Sequence, residues 1–177
     1  AKNSRRKLMS INVGDKVPNI NLTTMTAEGP APIGYDDLFA GKRVALFSVP
    51  GAYTPTCSQQ HLPGFIQKAS DLTAKGIDTI ACMAVNDVFV MDAWGKSQNA
   101  DGKVLMLADG NGEFTSAIGL ELDASGFGMG KRGQRFSLVI NDGVVEILNI
   151  EDGGEFRVSS CDYMIDQLLC LMFYSEF

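Results

Sequence analysis

Arg43-Val-Ala-Leu-Phe-Ser-Val49 runs through Pro50-Gly51 into Ala52-Tyr-Thr54-Pro-Thr-Cys57-Ser-Gln-Gln-His61-Leu-Pro-Gly-Phe65. The first stretch is a short apolar run of β-formers stopped by Pro-Gly, the pattern of a buried strand. Beyond the loop, Leu62, Phe65, Ile66, Ala69 and Leu72 recur at helical spacing, and Gly76 after Lys75 is a stop signal. The spacing predicts a helix, bent at Pro63, with Cys57 in its first turn.

Working outward, residues 79–85 read as a second buried strand, and Asn86 or Asp87 can cap a helix carrying Phe89, Val90 and Trp94. The alternation predicts a βαβ unit with parallel strands. Residues 104–107 predict a further strand, followed by Asp109-Gly-Asn-Gly112 and a helix over residues 114–118. The Gly-rich stretch 125–133 is expected to be an exposed loop. Residues 136–140 and 144–150, joined at Asn141-Asp-Gly143, form a hairpin whose tight turn Asp-Gly supplies. In the closing helix Ser159 is expected to cap, with Asp162 in a capping-box-like position. Its apolar stripe would be Cys161, Met164, Ile165, Leu168 and Met172. The sum is an α/β thioredoxin-like fold, a central mixed β-sheet flanked by helices.

The bulk numbers agree with one unit over residues 11–177. At 177 residues, 45% hydrophobic and 20% charged, the chain can bury a core and lacks the signature of disorder. A net charge of -6 argues against nucleic acid or anionic membranes as partners, and no apolar run approaches the ~20 residues of a bilayer span. Residues 1–10 read as a tail, either a remnant of expression or the stub of a processed leader, since the basic Ala1 to Met9 lacks the apolar heart of a secretory signal. The four cysteines, Cys57, Cys82, Cys161 and Cys170, form no close pair, and there is one histidine, so neither zinc nor a disulfide scaffold is expected. Reduced thiols suit a reducing compartment, the cytoplasm first and an organelle as the alternative.

Chemistry concentrates at Cys57. Free backbone N–H groups and the positive end of a helix dipole favour thiolate over thiol there. Thr54 can set its hydroxyl beside the sulfur, donating to an incoming oxygen while accepting its proton. Pro50 and Pro55 stiffen the loop and shield the thiolate. Attack by sulfur on one peroxide oxygen builds charge on the other, which fixed donors must already await.

The motif Pro50-x-x-x-Thr54-x-x-Cys57 resembles the active-site signature of peroxiredoxins. The fuller run through His61-Leu-Pro-Gly-Phe65 is similar to the peroxiredoxin-5 subfamily, including plant type II enzymes. Matching segments continue at residues 84–94, 109–114, 135–137 and 156–160. The resemblance implies a thiol-dependent peroxidase that reduces hydrogen peroxide and small alkyl hydroperoxides through a Cys57 sulfenic acid. It implies no metal or prosthetic group, a glutathione, glutaredoxin or thioredoxin reductant, a role in antioxidant defence, and a homodimer joined around the active-site loop. It places the family's catalytic arginine at Arg135, with Arg132 as the rival; a guanidinium is always charged and can favour the thiolate and hold peroxide oxygens.

Alternatives stay open around this core. Cys82 matches the second cysteine of plant type II members and could resolve the sulfenic acid, although an apolar strand would hinder it; an external thiol attacking Cys57 is preferred. Val158, not Cys161, falls where animal members keep their resolving cysteine. His61, one helical turn after Cys57, is expected at the site rim, capping the loop or bonding backbone; as a general base it would instead suggest a cysteine hydrolase. A thioredoxin-fold redox sensor or holdase is the non-catalytic alternative.

Overall fold

The structure is a computed structural model that describes residues 10–174, so the expected tail, apart from Ser10, lies outside the described residues. Central strands are β3 (Arg43–Ser48), β4 (Thr79–Ala84) and β5 (Leu105–Ala108), all parallel, as the strand-helix alternation predicts. Both faces of these strands are covered, which explains their continuous apolar runs. Phe47 and Cys82 point into a core shared with Leu62, Phe65, Trp94 and Met164, while Leu46 and Met83 join Phe114 and Leu138 on the opposite face.

Antiparallel strands complete the sheet. The predicted hairpin is β8 (Phe136–Asn141) and β9 (Val144–Ile150), with β8 paired to β3. Its turn residues Asp142 and Gly143 have φ of 48° and 79°, as a two-residue hairpin turn requires. A side chain at Gly143 would also strike the Tyr35 ring. On the far side, β1 (Leu22–Thr26) and β2 (Gly29–Ile33) form a hairpin, and helix α1 (Tyr35–Leu38) follows. The described residues thus build a seven-stranded sheet in the order β2-β1-β5-β4-β3-β8-β9.

Helices α2 (Leu62–Gln67), α3 (Ala69–Ala74), α4 (Val88–Ser97), α5 (Glu113–Ala117) and α6 (Cys161–Tyr174) flank it. Asp87 caps α4, accepting from the Val90 N–H at 2.9 Å.

Three local expectations are corrected. The bend assigned to Pro63 is replaced by a π-helical segment, Cys57–His61, before it and a break at Lys68 after it. Pro63 sits in the first turn of α2, where a missing N–H costs little. The supposed loop 125–133 is partly ordered: β7 (Lys131–Gly133) pairs with β6 (Glu121–Asp123). Ser160, not Ser159, caps α6 through Tyr163 N–H. The Ser159 hydroxyl is drawn to the Glu151 carboxylate at 2.9 Å, and Asp162 pairs with Lys68.

Candidate active site

Three strand ends meet at one edge of the sheet. Antiparallel pairing sets Ser48, last in β3, opposite Phe136, first in β8, and Phe136 opposite Ile150, last in β9. Residues leaving β3, entering β8 and leaving β9 therefore share one locality. Cys57, Arg135 and the 151–159 segment belong to these three connections.

The loop after β3 passes through Tyr53 at a φ of 65°, a conformation costing a non-glycine residue about 1–2 kcal/mol. It is held by Ala52 N–H donating to Asn86 Oδ1 at 3.0 Å. The helix begins at residue 55, so Cys57 lies in its first turn. Leu62 N–H reaches back to the Cys57 carbonyl, the wide turn that defines the π segment and that often marks functional sites.

Cys57 has no exposed surface, and Arg135 Nη2 donates to its Sγ at 3.1 Å. The contact seats an always-charged guanidinium directly on the sulfur. Arg132, the rival, is engaged with backbone instead: its Nε donates to Met129 O at 2.9 Å and its Nη1 to Pro50 O at 3.5 Å. Pro50 is half-buried in this loop. Thr54 Oγ1 donates to Gly51 O at 2.7 Å. Its proton is thereby committed, leaving the hydroxyl as an acceptor rather than the expected donor and acceptor together.

His61 is not at the rim. It is fully buried, with ring contacts to Phe47 at 4.8 Å and Phe156 at 5.0 Å. Arg135 Nη1 lies 2.9 Å from Nδ1, and Nε2 lies 2.9 Å from Ser159 O. A guanidinium can only donate, so Nδ1 accepts and Nε2–H donates to the carbonyl. Burial first, and Arg135 second, push the ring down to about 3, outweighing the Ser159 carbonyl, so it is neutral at ordinary pH.

Behind it, Glu151 Oε1 accepts from the N–H groups of Arg157, Val158 and Ser159 at 2.8, 2.6 and 2.7 Å. Burial works against this carboxylate's charge, but these bonds and the Ser159 hydroxyl prevail and hold it below its usual range. Sequence reasoning missed Glu151, and also the Trp94 indole donating to Ser58 Oγ at 3.0 Å.

Two of the other thiols are held back by burial. Cys82 is fully buried on β4 in the core that holds Cys57; burial, then Cys57 itself, pushes its thiol well up, against Arg135. Cys161 is pushed up to about 12 by burial, and Cys170 is exposed. Among the described residues no three His, Cys, Asp or Glu side chains are grouped as metal ligands, and no helix is long and apolar enough to cross a membrane.

The Redoxin family profile matches residues 12–165. Peroxiredoxin-2B of Arabidopsis thaliana is 48% identical over 159 residues, spanning 89% of this chain and 98% of its own. The chain belongs to the peroxiredoxins. The chloroplastic peroxiredoxin-2E of Arabidopsis thaliana is likewise 48% identical over 163 residues, 90% of this chain and 70% of the relative. Reduced Prx3 of Vibrio vulnificus, solved in complex with hydrogen peroxide, superposes with a TM-score of 0.86 at 51% identity, covering 89% of this chain and 99% of that one. This peroxiredoxin is a thiol-dependent peroxidase of thioredoxin-like fold, taking a peroxide substrate and a thiol reductant.

Proposed function

We propose that Cys57 is the peroxidatic nucleophile, with Arg135, Thr54 and Pro50 completing its site, within one catalytic unit over residues 11–177. The observation that carries this is the guanidinium seated on the sulfur at 3.1 Å. The thiolate attacks one peroxide oxygen, the O–O bond breaks, and the leaving oxygen takes a proton to depart as water or alcohol; Cys57 is left as sulfenic acid. Arg135 faces the developing negative charge, Thr54 Oγ1 can accept the peroxide O–H, and Pro50 shields the sulfur. The peroxide in the Vibrio vulnificus relative supports hydrogen peroxide as a substrate.

A second thiol then displaces the sulfenic hydroxyl as water, and a further thiol releases the resulting disulfide. An external thiol, glutathione, glutaredoxin or thioredoxin, suits the second step better than Cys82, whose burial makes it a poor nucleophile until the Cys57 segment unwinds. The hydrolase reading is disfavoured because both His61 nitrogens are engaged elsewhere. Exposed Tyr53, Phe89 and Phe127 around the active-site end are suited to a homodimer contact. Four free thiols suit a reducing compartment, the cytoplasm or an organelle of the kind in the relatives named chloroplastic.

Mass spectrometry after one equivalent of peroxide tests the reading. With glutathione present, a Cys57–glutathione disulfide is expected. A Cys57–Cys82 disulfide would replace the external thiol by an internal one, and an unmodified Cys57 would overturn the assignment.

A further inference from the structure

Arg135 is useful to the sulfur only while its guanidinium stays aimed, and a half-buried arginine has several rotamers to choose from. Its Nη1 is aimed by His61 Nδ1. The His61 ring is in turn fixed by Ser159 O on Nε2. That carbonyl belongs to a loop segment with no helix or strand of its own, yet three successive N–H groups and one hydroxyl of it converge on a single oxygen, Oε1 of Glu151. Glu151 N–H also donates to the Arg135 carbonyl at 3.0 Å, tying the two ends together. Phe156, in the same segment, lies 5.9 Å from the guanidinium. The arrangement is a closed ring of contacts, from Glu151 through Ser159 and His61 to Arg135 and back.

We infer that Glu151 is a positioning residue of the peroxidatic site, acting through the Ser159 carbonyl and the neutral His61 ring to hold Arg135 on the Cys57 sulfur. The inference rests on the peroxidase reading but makes a separate demand. Glu151 touches neither sulfur nor substrate; its negative charge is spent on the loop donors, and what reaches the site is orientation. A carboxylate is suited to this task because it accepts several bonds at once, where a neutral acceptor holds fewer and more weakly. The ionisable groups facing Cys57 are Arg135 and Cys82, and the Glu151 carboxylate bonds neither of them, its one link to Arg135 being between backbones.

The experiment is a double-mutant cycle on the full chain, comparing wild type, Glu151→Ala, Arg135→Met and the double variant. Two rates are read: peroxide reduction, and site-resolved alkylation of Cys57 by iodoacetamide at pH 7, which follows thiolate. Glu151→Ala is expected to slow both by about tenfold, the usual scale for a misaimed supporting shell. In the Arg135→Met background it should change neither further, because coupled residues fail to add. Glu151→Gln, which keeps an acceptor oxygen but loses the charge, should recover only part of the loss, and the part that remains carries the same cycle if the alanine variant does not fold.

A Glu151 variant that melts earlier but keeps both wild-type rates overturns the inference, as does a full additive loss without Arg135. Wild-type protein that consumes no peroxide would overturn the peroxidase reading alone, leaving the alkylation cycle to judge Glu151.

Discussion

A buried thiol is ordinarily a poor nucleophile, and burial pushes both the Cys82 and the Cys161 thiols up. What separates Cys57 is Arg135 on its sulfur. The motif made Cys57, Thr54 and Pro50 legible from residues 50–57 alone, and family resemblance singled out Arg135. Glu151 was illegible, because a lone glutamate past a strand carries no local sign of four donors six to eight residues further on. His61 was read as a rim residue because its burial depends on Phe156, 95 positions away. That burial has a measurable consequence. His61 ionises near its ordinary 6.5 when unfolded and only at about 3 when folded. Between those values the unfolded state binds more protons, so stability falls as pH falls. The chain has one histidine, so the loss that begins near pH 6.5, above the carboxylate range, should belong to it. Melting temperature should drop from pH 7 to pH 5 in the wild type and stay nearly flat in His61→Gln; equal slopes would refute the assignment.

At the scale of elements, sequence patterns caught the buried strands and the Asp-Gly hairpin, whose signals are local. They missed β1 and β2, where the run is Leu-Thr-Thr-Met-Thr and then Gly-Pro-Ala-Pro-Ile. Two prolines argue against a strand, but β2 is the sheet edge and both prolines are exposed, so their missing N–H groups cost no ladder bond. The π segment was equally invisible, since its wide turn is fixed from outside. Trp94 on α4, fully buried, donates to Ser58 in that segment at 3.0 Å. Trp94→Phe keeps an aromatic side chain but removes the N–H donor and part of the buried volume, with an expected loss of about 1–3 kcal/mol. Amide exchange across residues 58–62 should accelerate at least tenfold relative to β4, and unchanged protection would show that the indole does not pin the segment.

For the whole molecule, the topology explains why a thiol and a guanidinium 78 residues apart meet at all. A parallel β3–β4–β5 core puts the carboxyl ends of its strands on one side, the usual place for a site in such sheets, and the antiparallel β8–β9 hairpin brings Arg135 and the Glu151 loop to that same side. Sequence alone gave the order of these elements but not the register, which rests on long-range packing. In the proposed mechanism peroxide chemistry depends on one sulfur that the fold hides beneath a guanidinium. The most direct test is steady-state peroxide consumption with excess thiol, comparing wild type with Cys57→Ser and Cys82→Ser. The account predicts many turnovers per chain for wild type and for Cys82→Ser, and none above background for Cys57→Ser; sustained turnover by Cys57→Ser would contradict it.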